Sequence, residues 1–491
     1  MNNRWTFYAW LLIGVLLALL ILRAPLLPNF LDIYYHLAVA QGFDKAGGFV
    51  THAFWEYAPG GRPNLYPPLF HFLLLGLIKT GLPLITIARL VDIVIFPLFL
   101  TVIWFISRSL FGARVGFLSI VLGSSIYSFY LCSSNFAPFT LAFIFGLLSF
   151  WALERGRLRL AIMMLGMAFY THVQVPWIFL AALLFYGFLV RPRLLPVFKL
   201  IGGAIFLALP FLLYLLAHVG SYHPQAVYER FTFEFALSLV LAGFGVRRAC
   251  RDRGPALFFV ALAVTLLIAA FSYPYRYMCG QGLVAIILLA ALGWDDLWHV
   301  FSQRQPSGKW LLMGIFAGVV CAPSIVLLPK MQPQFIPVNA SFQELVRAEP
   351  AVERSNAHCV YSRSMDEIVA IIRQKSGPND ILFSNWPFTA TIIAVMADRA
   401  NSEGMLQEIG PRQDEDVIRY ARWIIWFKQE GAEYPERDLM ERYHLKKSTE
   451  TPMASIYENT AAQVQMNVAH ATIPAGWVLF FGCILVALII L

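Results

Sequence analysis

Charge is what this 491-residue chain has least of: Asp, Glu, Lys and Arg make up 13% of it, against 59% hydrophobic residues and a mean hydropathy of +0.65. That excludes a water-soluble globule, in which about a quarter of the residues are charged. The six cysteines (Cys132, Cys250, Cys279, Cys321, Cys359 and Cys483) show neither CxxC nor His-rich spacing, so they indicate neither a zinc site nor a disulfide framework and read as small apolar residues. No G-x-G-x-x-G follows a strand and no GK[ST] phosphate loop is present, so no nucleotide-binding domain is visible. The apolar stretches also lack the dyad alternation of a barrel strand, which leaves helices as the way to cross a bilayer.

Apolar stretches long enough for that recur from Trp5 to Leu328 with short polar breaks, where each crossing needs about 20 residues. The formal net charge of +8 would suggest nucleic acid in a soluble protein. Here its placement points to membrane orientation, and no nucleic-acid partner is expected. Arg4, Arg108, Arg114, Arg155, Arg157, Arg159, Arg191, Arg193, Lys199, Arg247, Arg248, Arg251, Arg253, Arg304 and Lys309 fall on one side of the expected spans, which makes that side cytoplasmic. The first run, Thr6 to Leu22, is long and lacks an A-x-A site before Asp32, so it reads as an uncleaved anchor.

With the N-terminus inside, the first span opens an external loop over 24–88. Within it PPLFHFLLLGLIKTGLPL (67–84), broken by Lys79, Gly81 and Pro83, suits a helix lying at the interface. Further spans are expected near 89–107, 115–131, 139–153, 160–175, 177–190, 200–217, 235–246, 255–271, 281–294 and 310–328, eleven with the first. An odd number puts 329–472 outside, as a mixed α/β domain. In it SMDEIVAIIRQKSG (364–377) reads as a helix, ILFS (381–384) as a strand and DEDVIRYARWIIWFKQ (414–429) as a second amphipathic helical pattern. A final run of 18 residues, 474–491, returns to the membrane.

Carboxylates, histidines and aromatics gather in the external loops, so chemistry is expected there. Asp32 and His36 stand four apart in NFLDIYYHLAVAQGF (29–43) and would share a helix face. A carboxylate there suits deprotonating a nucleophile or holding a divalent cation against a phosphate; the competing reading is a helix N-cap. In HAFWEYAPGGRPNLYPPLFHF (52–72) an interfacial aromatic belt accounts for the tryptophan and tyrosines but not for Glu56 or Arg62. Arg62 suits a phosphate, though contact with lipid headgroups is the more frequent role of a surface arginine. His172 in YTHVQVPW and Arg276 in SYPYRYMC stand at span ends, where snorkelling to the interface is the common role.

The runs DIYYHLAVA and GRPNLYPPLFHFLLLGL resemble the first external loop of GT-C superfamily glycosyltransferases, above all the oligosaccharyltransferase catalytic-subunit branch. LTVIWFISRSLFGARVGFLSIVLGSSIYSFYL (100–131) is similar to that family's next helical hairpin. The resemblance covers roughly residues 1–160 and implies a polytopic α-helical membrane protein with a small external α/β domain. It implies Asp32 as the first catalytic acid, His36 at the family's H-L position with Glu56 as loop support, and Arg276, with Arg62 and His172, as donor-phosphate contacts. The family's second acidic pair is replaced by CSSNFAPF (132–139), which offers only Asn135. Asp32 is then a thin carboxylate shell for Mg²⁺ or Mn²⁺. FSNWPFTATIIAVMADRANSEGM (383–405) is similar to the branch's W-W-D-Y-G segment at Trp386 and at Asp398–Arg399 alone, so the acceptor-side role of Trp386 carries over without the usual sequon acceptor.

The expected organisation is a GT-C-like membrane domain over 1–328, the external domain over 329–472 and a terminal helix over 473–491. The expected activity is transfer of a sugar or oligosaccharide from a polyprenyl-(pyro)phosphate donor to a protein or lipid acceptor, outside the plasma (inner) membrane. A lipid A or cell-wall sugar transferase of the same superfamily, a non-catalytic membrane subunit and a transporter are the alternatives.

Overall fold

The computed structural model describes residues 2–28, 30–218, 220, 231–232, 236–270, 276–277, 280–304, 308–321, 324–327, 334–336, 363–405, 415–428, 434–435, 437–462 and 466–474. The expected terminal span beyond residue 474 lies outside them.

In chain order the helices are α1 (Asn2–Leu22), α2 (Asp32–Ala46), α3 (Leu69–Lys79), α4 (Leu84–Phe111), α5 (Ala113–Ser125), α6 (Tyr127–Asn135), α7 (Ala137–Glu154), α8 (Leu158–Phe169), α9 (Val175–Leu189) and α10 (Leu194–Ala217). They continue as α11 (Ala236–Asp252), α12 (Ala256–Ala269), α13 (Val284–Arg304), α14 (Gly308–Cys321), α15 (Arg363–Lys375), α16 (Pro387–Ala397) and α17 (Arg437–Arg442). The strands are β1 (Gly48–Phe49), β2 (His52–Ala53), β3 (Arg62–Pro63), β4 (Phe231–Thr232), β5 (Ser324–Leu327), β6 (Gln334–Ile336), β7 (Ile381–Ser384), β8 (Ala400–Asn401), β9 (Trp423–Phe427), β10 (Leu445–Glu450), β11 (Ala454–Asn459) and β12 (Ile473–Pro474).

Each expected span before residue 328 overlaps a helix, but the one expected over 310–328 is helical to Cys321 and then forms β5 over Ser324–Leu327. Among the described residues, five helical stretches are long and apolar enough to cross a bilayer: Arg4–Leu22, Leu84–Phe111, Ala137–Glu154, Arg191–Ala217 and Gln281–Phe301. Helices α5 and α6 make a sixth if they form one span, but they are bent by 83° at Ile126. The uninterrupted span expected over 115–131 is therefore broken. Helices α8 and α9 have 12 and 15 residues, roughly 18 and 22 Å at 1.5 Å per residue, short of a hydrocarbon core of about 30 Å. The chain is a multi-pass membrane protein.

The described residues fall into two compact units, one drawn from 1–26, 91–211 and 226–350 and the other from 27–90, 212–225 and 351–491. In the first, α11 and α13 cross at backbone distance. A β-carbon on Gly245 would stand 1.9 Å from the Leu289 carbonyl oxygen, and one on Gly293 2.1 Å from that of Leu241. Only glycine permits this approach, the usual device of close helix pairs in membranes. Shortly beyond these glycines on the same helices, the Asp295 carboxylate takes Nε of Arg114 at 2.6 Å and a terminal nitrogen of Arg248 at 2.8 Å. Two arginines from different basic loops, assigned to one side by charge alone, thus grip one acid.

In the second unit the sheet order is β10-β11-β9-β7-β8, with β7 parallel to β8 and β9 and the rest antiparallel. The helix expected over 364–377 is α15, whose Ile368 and Ile372 are buried, and the strand expected over 381–384 is β7. The helical pattern expected over 414–429 is not one helix. A 3-10 segment (Glu415–Tyr420) leads into β9, where WIIWF pairs with β7 on one edge and β11 on the other. A short apolar run fits a buried strand as well as a helix, and two available strand edges decide between them. Residues of the loop expected over 24–88 share this unit: β1 pairs antiparallel with β12, and the backbone at Trp55 and Ala58 is hydrogen-bonded to Asn401.

Candidate functional site

Helix α2 starts at Asp32 and closes on Gly47, whose left-handed φ of 81° satisfies the last carbonyls. Leu31 is the N-cap and Asp32 the first helical residue. Its Oδ2 faces Nε2 of His36 at 3.1 Å, the i,i+4 contact the spacing implied. The other imidazole nitrogen, Nδ1, lies 3.0 Å from Nε2 of His71 on α3. Asp32 is 8% exposed, whereas His36 and His71 are fully buried, with Tyr66 and Phe70 set edge-on to the His36 ring. Burial, reinforced by the neighbouring His36, holds the His71 imidazole well below its ordinary range and therefore neutral. Sequence reasoning passed over His71; the only signal was a histidine in an otherwise apolar helix.

Around Tyr35 the loop closes on an ion pair. Arg62 donates from Nε to Oε1 of Glu56 at 2.9 Å and from a terminal nitrogen to the Tyr35 hydroxyl at 3.1 Å, and both charged side chains are buried. The second Glu56 oxygen accepts the Met405 N–H at 3.0 Å, across 349 residues of sequence. Arg62 and Glu56 are thus brought together as a clamp within this unit.

Trp386 is the N-cap of α16, half-buried, and its N–H donates to the Ser384 hydroxyl at 3.0 Å. Its neighbour Asn385 commits its amide to β9, donating to the Phe427 carbonyl at 3.0 Å and accepting the Phe427 N–H at 2.7 Å. Helix α16 packs on α2, where Gln41 donates to the Val395 carbonyl and Lys45 pairs with Asp398 at 2.9 Å. Asp398 ends α16 in a left-handed conformation, φ 59°, and Arg399 donates to Ser376. Five residues on, Glu403 is fully buried: Oε2 accepts the Ser384 N–H at 3.1 Å and Oε1 meets no partner among the described residues. Burial pushes this carboxyl well above the usual range, which favours its protonated form.

In the other unit, Arg276 and His172 meet around one ring. The Arg276 guanidinium stands 3.9 Å from the Phe136 centroid and 5.4 Å from that of Phe139, while His172 sits edge-on to Phe139 at 4.8 Å. Both phenylalanines come from CSSNFAPF, the turn at the junction of α6 and α7, where Asn135 is buried. His172 Nδ1 accepts the Gln174 N–H at 3.1 Å at the start of α9, so a neutral ring carries its proton on Nε2. Tyr277 donates to Gln174 at 2.8 Å and closes the cluster.

Among the described residues no three His, Cys, Asp or Glu side chains converge as a metal shell. Asp32 offers one carboxylate, and both nitrogens of its neighbour His36 are engaged. This donor set does not fit a hard cation, which takes six or more oxygens.

The fold so defined is that of the GT-C glycosyltransferases. An Archaeoglobus fulgidus oligosaccharyltransferase in the apo form superposes with a TM-score of 0.62 at 10% identity, over 86% of this chain and 69% of its own. The same organism's AglB, in complex with an inhibitory peptide and a dolichol-phosphate, gives 0.59 at 10% identity over 94% and 75%. ArnT from Cupriavidus metallidurans, bound to undecaprenyl phosphate, gives 0.53 at 14% identity over 94% of this chain and all of that one. Another Archaeoglobus oligosaccharyltransferase structure contains Zn and sulfate. No family model and no curated protein sequence matches the chain.

Proposed function

We propose that this protein is a membrane glycosyltransferase that moves a sugar or oligosaccharide from a polyprenyl-phosphate or -pyrophosphate lipid to an acceptor on the non-cytoplasmic face of the plasma (inner) membrane. The observation that carries the reading is Asp32. It is a carboxylate at the rim of a buried histidine pair, at the start of α2, in a fold whose solved representatives hold dolichol-phosphate or undecaprenyl phosphate. Asp32 takes the proton of the acceptor hydroxyl or amide as that atom bonds to the sugar's anomeric carbon and the bond to the lipid phosphate breaks. By the family resemblance, Arg276 and His172 are the candidates for stabilising the charge left on the phosphate, a task that prearranged donors perform best where water is scarce. Glu56 and Arg62 hold the catalytic loop, and Trp386 stands on the acceptor side.

A lipid acceptor is the second reading. Asn385, beside Trp386, has its amide bound to β9 and is not available to an acceptor residue, and the likeness to ArnT extends over that chain's whole length.

Asp32→Asn tests the reading, because it keeps size and hydrogen bonding while losing charge and basicity. With purified protein and lipid-linked donor, transfer should fall on the order of 100-fold or more, with the protein still folded and inserted. Full activity would make a non-catalytic membrane subunit the better assignment.

A further inference from the structure

Asp32 is not alone on its helix face. Its carboxylate, the His36 ring and the His71 ring form one hydrogen-bonded line, 3.1 Å and 3.0 Å between successive heavy atoms, with both rings fully buried and only the carboxylate end reaching the surface. Such a line has a definite proton count. An ionised carboxylate only accepts, so Nε2 of His36 must carry a proton toward it. His71, kept neutral, fixes the other nitrogen whichever of the two supplies the shared proton. Packing leaves the His36 ring little room to turn, with Tyr66 edge-on at 4.8 Å and Phe70 at 5.3 Å.

Resting on the transferase reading above, we infer that His36 and His71 are positioning residues for Asp32: His36 aims an N–H at Oδ2 and holds the carboxylate ionised, and His71 holds His36 in that orientation. A hydrogen bond donated to the charged form of an acid lowers its pKa, so the line extends the base's working range toward lower pH. Among the described residues, the other titratable groups on or against α2 include Tyr34, Tyr35 and Tyr66 near His36, the Arg62–Glu56 pair beyond Tyr35, and Arg399 with the pairs Lys45–Asp398 and Asp44–Lys79 toward the far end.

The test has two arms. In the first, kcat/KM for a lipid-linked sugar is followed against pH for the wild type, His36→Leu, His71→Leu and His71→Gln. The leucine variants should raise the acid limb by about one pH unit or more, while His71→Gln, whose amide can donate to or accept from Nδ1 of His36, should restore it. A uniform loss with an unmoved acid limb would reduce the pair to packing and overturn the inference. The second arm needs no activity: ¹⁵N NMR of histidine-labelled wild-type protein, assigned with the same variants, should show Nε2 of His36 protonated above pH 7. A bare Nε2 there would overturn the inference. Wild-type protein that transfers no sugar from undecaprenyl- or dolichyl-linked donors would instead sink the transferase reading and leave the NMR result to decide the line.

Discussion

Oε1 of Glu56 lies 2.9 Å from both Nε and a terminal nitrogen of Arg62, with neither side chain reaching solvent, while the other Glu56 oxygen holds the Met405 N–H. Both partners lie between α2 and α3, and the third group comes from the segment after β8. Arg62, a candidate phosphate contact by sequence, therefore has its donors directed at protein atoms.

Removing one member of a buried pair leaves an uncompensated charge, at a cost of about 3–5 kcal/mol. Arg62→Ala should lower the unfolding temperature of the protein in lipid nanodiscs more than Arg62→Ala with Glu56→Leu does. Unchanged stability with a raised KM for donor would return Arg62 to the phosphate.

Arg276→Ala should raise KM for the lipid-linked donor at least tenfold while the unfolding temperature stays within a few degrees, because its described neighbours Phe136 and Phe139 remain packed without it. Arg276→Lys should recover part of the loss, through charge without the planar fork. Donor kinetics unaffected by either change would remove Arg276 from the site.

Glu403 gives a pH dependence whose sign is fixed. Its carboxyl has a folded pKa raised far above the unfolded value, so the stability associated with the protonated acid is fully present below the usual carboxyl range. It is lost as pH rises through the folded pKa. Glu403→Gln, neutral at every pH, should be as stable as the wild type in acid and more stable in alkali. Parallel curves of stability against pH would show that the acid is ionised in the folded protein.

Orientation can be read chemically. Arg437 on α17 is 90% exposed, and an impermeant maleimide should label Arg437→Cys in intact cells. Cys250, exposed and set among the basic residues of α11, is the internal control and should react only after permeabilisation. The reverse pattern would invert the topology.

Much of this was legible in the sequence, for physical reasons that differ by element. β7 and α15 declared themselves because a Gly stop and a short apolar strand are local signals. Asp32 and His36 were legible as a pair because helical spacing fixes their contact. His71 was not, since it reaches His36 across 35 residues by way of an unrelated helix, and no pattern encodes that. β9 misled because WIIWF, preceded by charged residues at helical spacing, carries its strand character in its neighbours β7 and β11. Nor did hydropathy announce that residues 27–90 fold with the segment after 351.

That last joining bears on the order in which the protein is made. Phe49 in β1 pairs with Ile473 in β12, and Glu56 waits for Met405. At about 5–20 residues per second, the ribosome takes on the order of 20–80 seconds to supply β12 after β1 has been synthesised. For most of that interval the loop around Asp32 lacks the Met405 N–H, while the Glu56–Arg62 pair and the Tyr35 hydroxyl are already in the chain. A nascent chain arrested anywhere before Met405 would hold the whole Asp32–His36–His71 line in sequence yet lack the segment that closes the loop around it. Glu56 is thus translated 349 residues ahead of the N–H that its second oxygen holds, and the loop around Asp32 is completed only once that segment arrives.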